Sequence, residues 1–305
     1  MTVGGSTSGS VTSRSTSARP RKRRRASAQA SGMPTMALAR VASTATRWYG
    51  HEGDILRGLS FEVFPKETLV LLGETGTGKT LSLKMAAGLL KPLEGDVKVL
   101  GRHISEMKEK ELLDFRREIG FVFQEGALFD SMTVEENVAF RLREEKVPEE
   151  EIAPKVREAL RFVELEHAID QLPSELSGGM RRRASIARAL ITRPPIVLYD
   201  SPTAGLDPVT SQTIIALILR LRDIYGVTAL LATHRLQDGF ALANFHFDTA
   251  TNRVLPNSHK PRGRESDGGE SSTRFAVLRD GKVFFEGTPE ELEAVKDPYL
   301  KRFLV

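Results

Sequence analysis

Short apolar runs alternate along the chain with longer stretches whose apolar residues return every three or four positions. Residues 68–73, TLVLLG, are apolar enough for a strand covered on both faces and end on glycine. Residues 80–90, TLSLKMAAGLL, have helical spacing and stop before Pro92. Strand-like runs recur as DVKVLG (96–101), IGFVFQ (119–124), PIVLYD (195–200), GVTALLATH (226–234), FAVLRDG (275–281) and KVFFEG (282–287). Helical spacing fills residues 106–117, 134–143, 149–163, 178–192 and 208–225 between them, and LQDGFALAN (236–244) adds one more helix. The alternation predicts an α/β domain around a mainly parallel sheet, beginning near residue 36.

Two stretches depart from the pattern. Residues 246–273, HFDTATNRVLPNSHKPRGRESDGGESST, are polar, rich in glycine and proline, and aperiodic, and are expected to form a flexible surface insertion. Residues 1–35 form a tail of small polar residues around a basic cluster, with Arg14, Arg19, Arg21, Lys22, Arg23, Arg24 and Arg25 and no acid before Met33. It has little apolar surface to bury and is expected to be a solvated, disordered extension, or to precede a true start at Met33 or Met36.

That tail also changes the reading of charge. The net +4 of the 305 residues includes +7 from the first 32, so the body sums to −3. A nucleic-acid partner is therefore not expected. The absence of cysteine rules out disulfides, zinc–thiolate sites and thiol catalysis. No apolar run approaches 18 residues, so no membrane-spanning helix is expected.

The chemistry begins at residues 73–80, GETGTGKT, which fit G-x-x-x-x-G-K-[ST] between a strand and a helix. Across Gly73, Glu74, Thr75, Gly76, Thr77 and Gly78 the backbone N–H groups can converge on phosphate oxygens, aided by the helix N-terminus. Lys79 can reach the β- and γ-phosphates, and the Thr80 hydroxyl can bind Mg²⁺. Downstream, the apolar run IVLYD ends at Asp200, a carboxylate suited to complete a Mg²⁺ shell. LSGGM (176–180) places Ser177, Gly178 and Gly179 at the start of another helix, a second anion-binding turn 97 residues beyond Thr80. Two such half-sites suggest that each binds an opposite end of one nucleotide across a dimer. Arg181, Arg182 and Arg183, which follow, are expected on a solvated or subunit-facing surface.

These motifs, in this order and together with Gln124 in FVFQ, AGLD (204–207) and His234 in ATHR, resemble those of the ATP-binding cassette (ABC) ATPases over residues 36–295. The resemblance implies a P-loop NTPase fold with a mainly parallel core sheet, an antiparallel β subdomain, an α-helical signature subdomain over about 125–192, and a C-terminal tail at 296–305. It implies ATP and Mg²⁺ as cofactors and a second ATPase subunit and membrane permease subunits as partners. Tyr49 would stack on adenine, with Trp48 beside it. Gln124 would touch Mg²⁺ and the attacking water, and Ser177, Gly178 and Gly179 would contact the γ-phosphate held by the opposite subunit. Asp207 would sit at the dimer interface, and His234 would bond the γ-phosphate and help hold the water.

Residues 123–140, FQEGALFDSMTVEENVAF, the LSGGM form and the ending DPYLKRFLV look like the Mla-type lipid-transport ATPases. That likeness implies an MCE-type lipid-binding protein in the same system and a place at the cytoplasmic face of a bacterial inner membrane. The chain departs from the family at Ser201, where most members carry glutamate. A hydroxyl stays protonated at neutral pH and cannot act as general base, so ATP binding with slow hydrolysis is expected. The alternatives are an ATPase subunit for another cargo, such as amino acids or drugs, and a hydrolysis-impaired regulatory subunit of a heterodimer.

Overall fold

The computed structural model describes residues 39–43, 46–47, 54–257 and 272–304. The basic tail expected over 1–35, Trp48, Tyr49 and residues 258–271 of the expected insertion lie outside the described residues. In chain order the strands are β1 (Ala39–Ser43), β2 (Thr46–Arg47), β3 (Asp54–Leu56), β4 (Leu59–Val63), β5 (Thr68–Leu72), β6 (Gly95–Val99), β7 (Arg102–His103), β8 (Ile119–Val122), β9 (Ile196–Asp200), β10 (Thr228–Thr233), β11 (Phe245–Asp248), β12 (Arg253–Pro256), β13 (Thr273–Arg279) and β14 (Lys282–Gly287). The helices are α1 (Lys79–Ala86), α2 (Glu109–Arg116), α3 (Val134–Glu144), α4 (Glu149–Phe162), α5 (Gly178–Leu190), α6 (Pro208–Tyr225), α7 (Leu236–Asn244), α8 (Pro289–Ala294) and α9 (Pro298–Leu304).

The main sheet runs β14-β13-β5-β10-β9-β8, parallel throughout except for the β13–β14 edge pair. A separate antiparallel sheet runs β4-β1-β6-β7. Strand β5 is buried at every position because both of its faces are covered. Val70 and Leu72 join one apolar cluster with the helices from α3 to α7, while Leu69 and Leu71 join another with α1, α2 and the antiparallel sheet. The same alternation holds on β9, with Val197 and Tyr199 on the first side and Ile196 and Leu198 on the second.

The helical segment, α3 to α5, does not build a core of its own. Val138, Leu142, Ile152, Val156 and Leu160 belong to the cluster that covers the main sheet. Helix α3 starts at a capping box, in which the Thr133 hydroxyl accepts from the Glu136 N–H and the Glu136 carboxylate accepts from the Thr133 N–H. One turn later the buried side chain of Asn137 organises the preceding loop. Its Oδ1 accepts from Phe129 N at 2.8 Å, and its Nδ2 donates to the carbonyls of Phe129, Met132 and Thr133 at 3.0–3.1 Å.

The expectation of an irregular insertion from residue 246 is corrected over its first part. Strands β11 and β12 form an antiparallel hairpin in register from Phe245–Pro256 to Asp248–Arg253. The hairpin is fastened to α6, where buried Arg222 donates to the carbonyls of Leu242 and Phe245, and Asp223 accepts from Phe247 N at 2.7 Å. Asp248 closes the turn by accepting from Ala250 N, Thr251 N and the Thr251 hydroxyl. Four-residue strands with a wet outer face leave too short an alternation to be read from sequence.

Replacing Asn137 by Ala strips two backbone groups of Phe129 and further carbonyls of their partner in a buried setting. The variant should lose roughly 2–3 kcal/mol in urea unfolding, with protease cleavage appearing within residues 126–133.

Candidate functional site

Four of the sequence-selected elements sit at the carboxyl ends of parallel strands. The phosphate-type loop follows β5, Gln124 follows β8, Asp200 ends β9 and His234 follows β10. Register keeps these ends level, since Leu72 pairs with Thr233 and Asp200 with Ala232. The crevice outside the carboxyl ends of the strands is where open α/β sheets hold ligands.

Within the loop, Gly76 has φ +85°, a conformation that side-chain-bearing residues rarely adopt, and a Cβ there would meet no atom within 4 Å. The loop is thus open to approach at Gly76, where no side chain stands in the way. Its shape is held by Thr77, whose hydroxyl donates to Glu74 O at 2.9 Å, and by Lys79, whose Nζ donates to the carbonyls of Gly73 and Glu74 at 2.8 Å each. Lys79 is buried, which lowers its pKa, while the carboxylates of Asp200 and Glu74 pull it back up. Glu74 and Thr75 are exposed, and Gly78 is the residue before α1.

The Thr80 hydroxyl donates to Asp200 Oδ1 at 3.1 Å, joining α1 to β9 across β10. These are hard oxygen donors suited to Mg²⁺. Among the described residues there is no group of three or more His, Cys, Asp or Glu side chains that could hold a metal, so a cation here needs further oxygens, such as those of a phosphate chain. Ser201 has φ +47°, and its hydroxyl lies 3.4 Å from Asp200 Oδ1. Its N–H donates to Ala232 O, and its carbonyl accepts from Ala204 N at 3.0 Å, so a tight turn leaves β9 at this residue. Gln124 and His234 are exposed at the same edge.

Beneath this edge lies a polar cluster that sequence reasoning missed. Buried Asp238 accepts from the hydroxyls of Thr203 and Thr233, and Arg235 Nη1 donates to Ser211 Oγ at 2.9 Å and Thr203 O at 3.3 Å. It pins the Ser201 turn to the residues flanking His234. Only a buried acid in the first turn of a helix could have signalled it.

Ser177, Gly178 and Gly179 stand apart from the phosphate-type loop, at the start of α5. Ser177 caps the helix, accepting from Met180 N at 3.2 Å. Gly179 has a packing reason beside any ligand role, because a Cβ there would lie 2.4 Å from Thr210 Cγ2 of α6. Asp207 is exposed and caps α6, accepting from Thr210 N at 3.0 Å.

The expectation of a solvated or subunit-facing surface for the three arginines is corrected for Arg182, while Arg181 and Arg183 stay partly exposed. Arg181 donates to Leu176 O at 2.5 Å, and Arg183 to the carbonyls of Val163 and Glu164. Arg182 is only 5% exposed and donates to Phe123 O at 2.6 Å. All three bind backbone carbonyls within their own subunit.

A glycine-bearing strand-to-helix loop with its lysine, facing a strand-end aspartate, defines a P-loop nucleoside-triphosphate site. Residues 56–204 match the ABC transporter family model. Across 82% of its length the chain is 35% identical to MlaF, the ATP-binding protein of an intermembrane phospholipid transport system of Haemophilus influenzae, spanning 84% of that protein. It is 33% identical over 85% of its length to PotA, the spermidine/putrescine import ATP-binding protein of Haemophilus ducreyi, spanning 61% of it. A solved dimeric ATP-binding cassette in a post-hydrolysis state with ADP and phosphate superposes with a TM-score of 0.67 at 29% identity, over 82% of this chain and 98% of that one. The chain belongs to the ABC transporter ATP-binding family, the ATP-hydrolysing cassettes.

Replacing Lys79 by Ala should abolish stabilisation by nucleotide. Wild type at ATP about 100-fold above its Kd should gain about 2.7 kcal/mol, read as a rise in Tm, whereas the variant should melt at the same temperature with and without ATP.

Proposed function

We propose that the chain is the ATP-binding subunit of a lipid transporter, binding MgATP at a dimer interface and hydrolysing it slowly to drive a membrane permease. The contact between Thr80 and Asp200 carries the nucleotide part of this reading, because it sets two oxygen donors facing each other beside the phosphate loop. Lys79 and the loop amides bind the β- and γ-phosphates, and Thr80, Asp200 and Gln124 hold Mg²⁺ together with phosphate oxygens and water. Bound there, Mg²⁺ would supply positive charge against the phosphate oxygens. Ser177, Gly178 and Gly179 contact the nucleotide of the second subunit; the likeness to a cassette solved as a dimer with ADP and phosphate supports the pairing of two subunits. Among the described residues no helix is long and apolar enough to cross a membrane, which fits a peripheral subunit relying on a permease for the membrane passage.

The lipid part rests on the match to MlaF across most of both chains. The polyamine importer relative supports a second reading, in which the same cassette drives import of a small cation. Reconstituted with its permease in liposomes, the complex should move labelled phospholipid in an ATP-dependent way and leave spermidine where it is. Spermidine uptake without lipid movement would reverse the assignment.

Slow turnover follows from Ser201. His234 and Gln124 sit at the edge where they can orient water, but the residue after Asp200 offers a hydroxyl rather than a carboxylate. A positioned base contributes about 10²- to 10⁴-fold. Ser201→Glu should raise kcat by at least about 10-fold with little change in ATP affinity. A wild type already turning over as fast as the Glu variant would refute this account of the serine.

A further inference from the structure

Three arginines follow the Ser177–Gly179 turn, and only one of them reaches across to the hydrolysis side. Arg181 and Arg183 bond carbonyls at Leu176, Val163 and Glu164, all in the helical segment. Arg182, one turn into α5, donates through Nη1 to Phe123 O at 2.6 Å and through Nη2 to Ala204 O at 3.4 Å. Phe123 immediately precedes Gln124. Ala204 closes the turn that begins at Ser201, its N–H donating to Ser201 O. One guanidinium therefore spans two of the loops that carry water-side residues of this subunit, those of Gln124 and Ser201.

A neutral donor could satisfy two carbonyls, and burying a cation is costly. Burial indeed lowers the Arg182 pKa, and the carboxylates of Glu125 and Asp200 act through space to raise it again. The fork shape of the group explains the choice, since a single planar side chain can hold two carbonyls in fixed relation. Farther along α5, Arg188 donates to Gly126 O at 2.8 Å and Ala127 O at 2.7 Å. Gln124 is thus bracketed by two arginines of the same helix. The start of that helix cannot slide freely against α6, where Gly179 leaves no room for even a methyl group beside Thr210.

We infer that Arg182 is a positioning residue for ATP hydrolysis, which relays the state of the Ser177–Gly179 turn to Gln124 and Ser201 of its own subunit. The inference rests on the proposed dimer, in which that turn meets the γ-phosphate of the other subunit's nucleotide. When the turn is fixed by that phosphate, α5 is fixed, and Arg182 and Arg188 fix the loop around Gln124. Water alignment in one site then depends on occupancy of the other. Such a relay matters most where residue 201 offers no base, because catalysis there rests on positioning.

The test uses the full-length protein with MgATP and compares wild type, Arg182→Met, Arg182→Lys and Ser177→Arg by labelled phosphate release, nucleotide titration and Tm. Arg182→Met should keep ATP affinity within about twofold and lower kcat by about 10- to 100-fold, as expected when reacting groups are misplaced by about an ångström. Its Hill coefficient for ATP should fall toward one. Arg182→Lys, which keeps the charge but replaces the planar fork by a single nitrogen that cannot reach both carbonyls in the same fixed relation, should recover part of kcat and little of the cooperativity. Wild-type kcat and Hill coefficient in Arg182→Met would overturn the inference. So would a parallel loss of ATP affinity and Tm in both Arg182 variants, which would make the residue structural. Ser177→Arg separates the two layers: if it turns over normally, the dimer reading fails regardless of Arg182. If it is inactive while Arg182→Met is unaffected, the dimer reading stands and the relay falls.

Discussion

The hydrogen bond from Thr80 to Asp200 is made by two elements that are not neighbours, α1 and β9, with β10 lying between their strands. It exists only because β5, β10 and β9 run parallel and end level with one another. That alignment in turn requires strands buried on both faces, which leaves no freedom to slip by one residue without turning Val70 and Leu72 into the wrong cluster. The phosphate loop, the metal-competent oxygens and the exposed groups at Gln124 and His234 all inherit their positions from this register.

Much of this was legible because the responsible signals are local. The apolar run at 68–73, the loop at 73–80 and the apolar run into Asp200 each carry their own punctuation, and helix α6 occupies the span that its spacing implies. Order in the sheet was not legible, since nothing in the run at 273–279 says that it lies beside β5 rather than at an edge. The hairpin at 245–256 was hidden because its stabilising partners, Arg222 and Asp223, lie on a helix some twenty residues upstream. Arg182 was misplaced for a similar reason. A run of three arginines reads as a wet face, and only the partners at Phe123 and Ala204, distant in sequence, show that one of them is buried.

Arginine has a recurring task in this chain. Irregular segments carry backbone carbonyls that no sheet or helix satisfies, and these need donors when buried. Arg182 and Arg188 serve the loop around Gln124, Arg183 the end of α4, Arg220 the carbonyl of Phe162, and Arg222 the entry to the hairpin. Four of the five donate to a carbonyl more than twenty residues away in sequence, so they act as cross-braces between pieces that share no ladder. Against the cost of desolvating each charge stand the carbonyls that it pairs, one for Arg220 and two for each of the others.

The turn at Ser201 is held by its own backbone, through Ala232 O and Ala204 N, and by Asp238 below, while the side chain at that position contributes one long contact to Asp200. For any residue that accepts the φ of +47° found there, the surrounding architecture keeps its reasons to fold. On the role proposed for Ser201, the speed of the chemistry and the integrity of the fold are then separate matters at this position, and the one can vary while the other is kept.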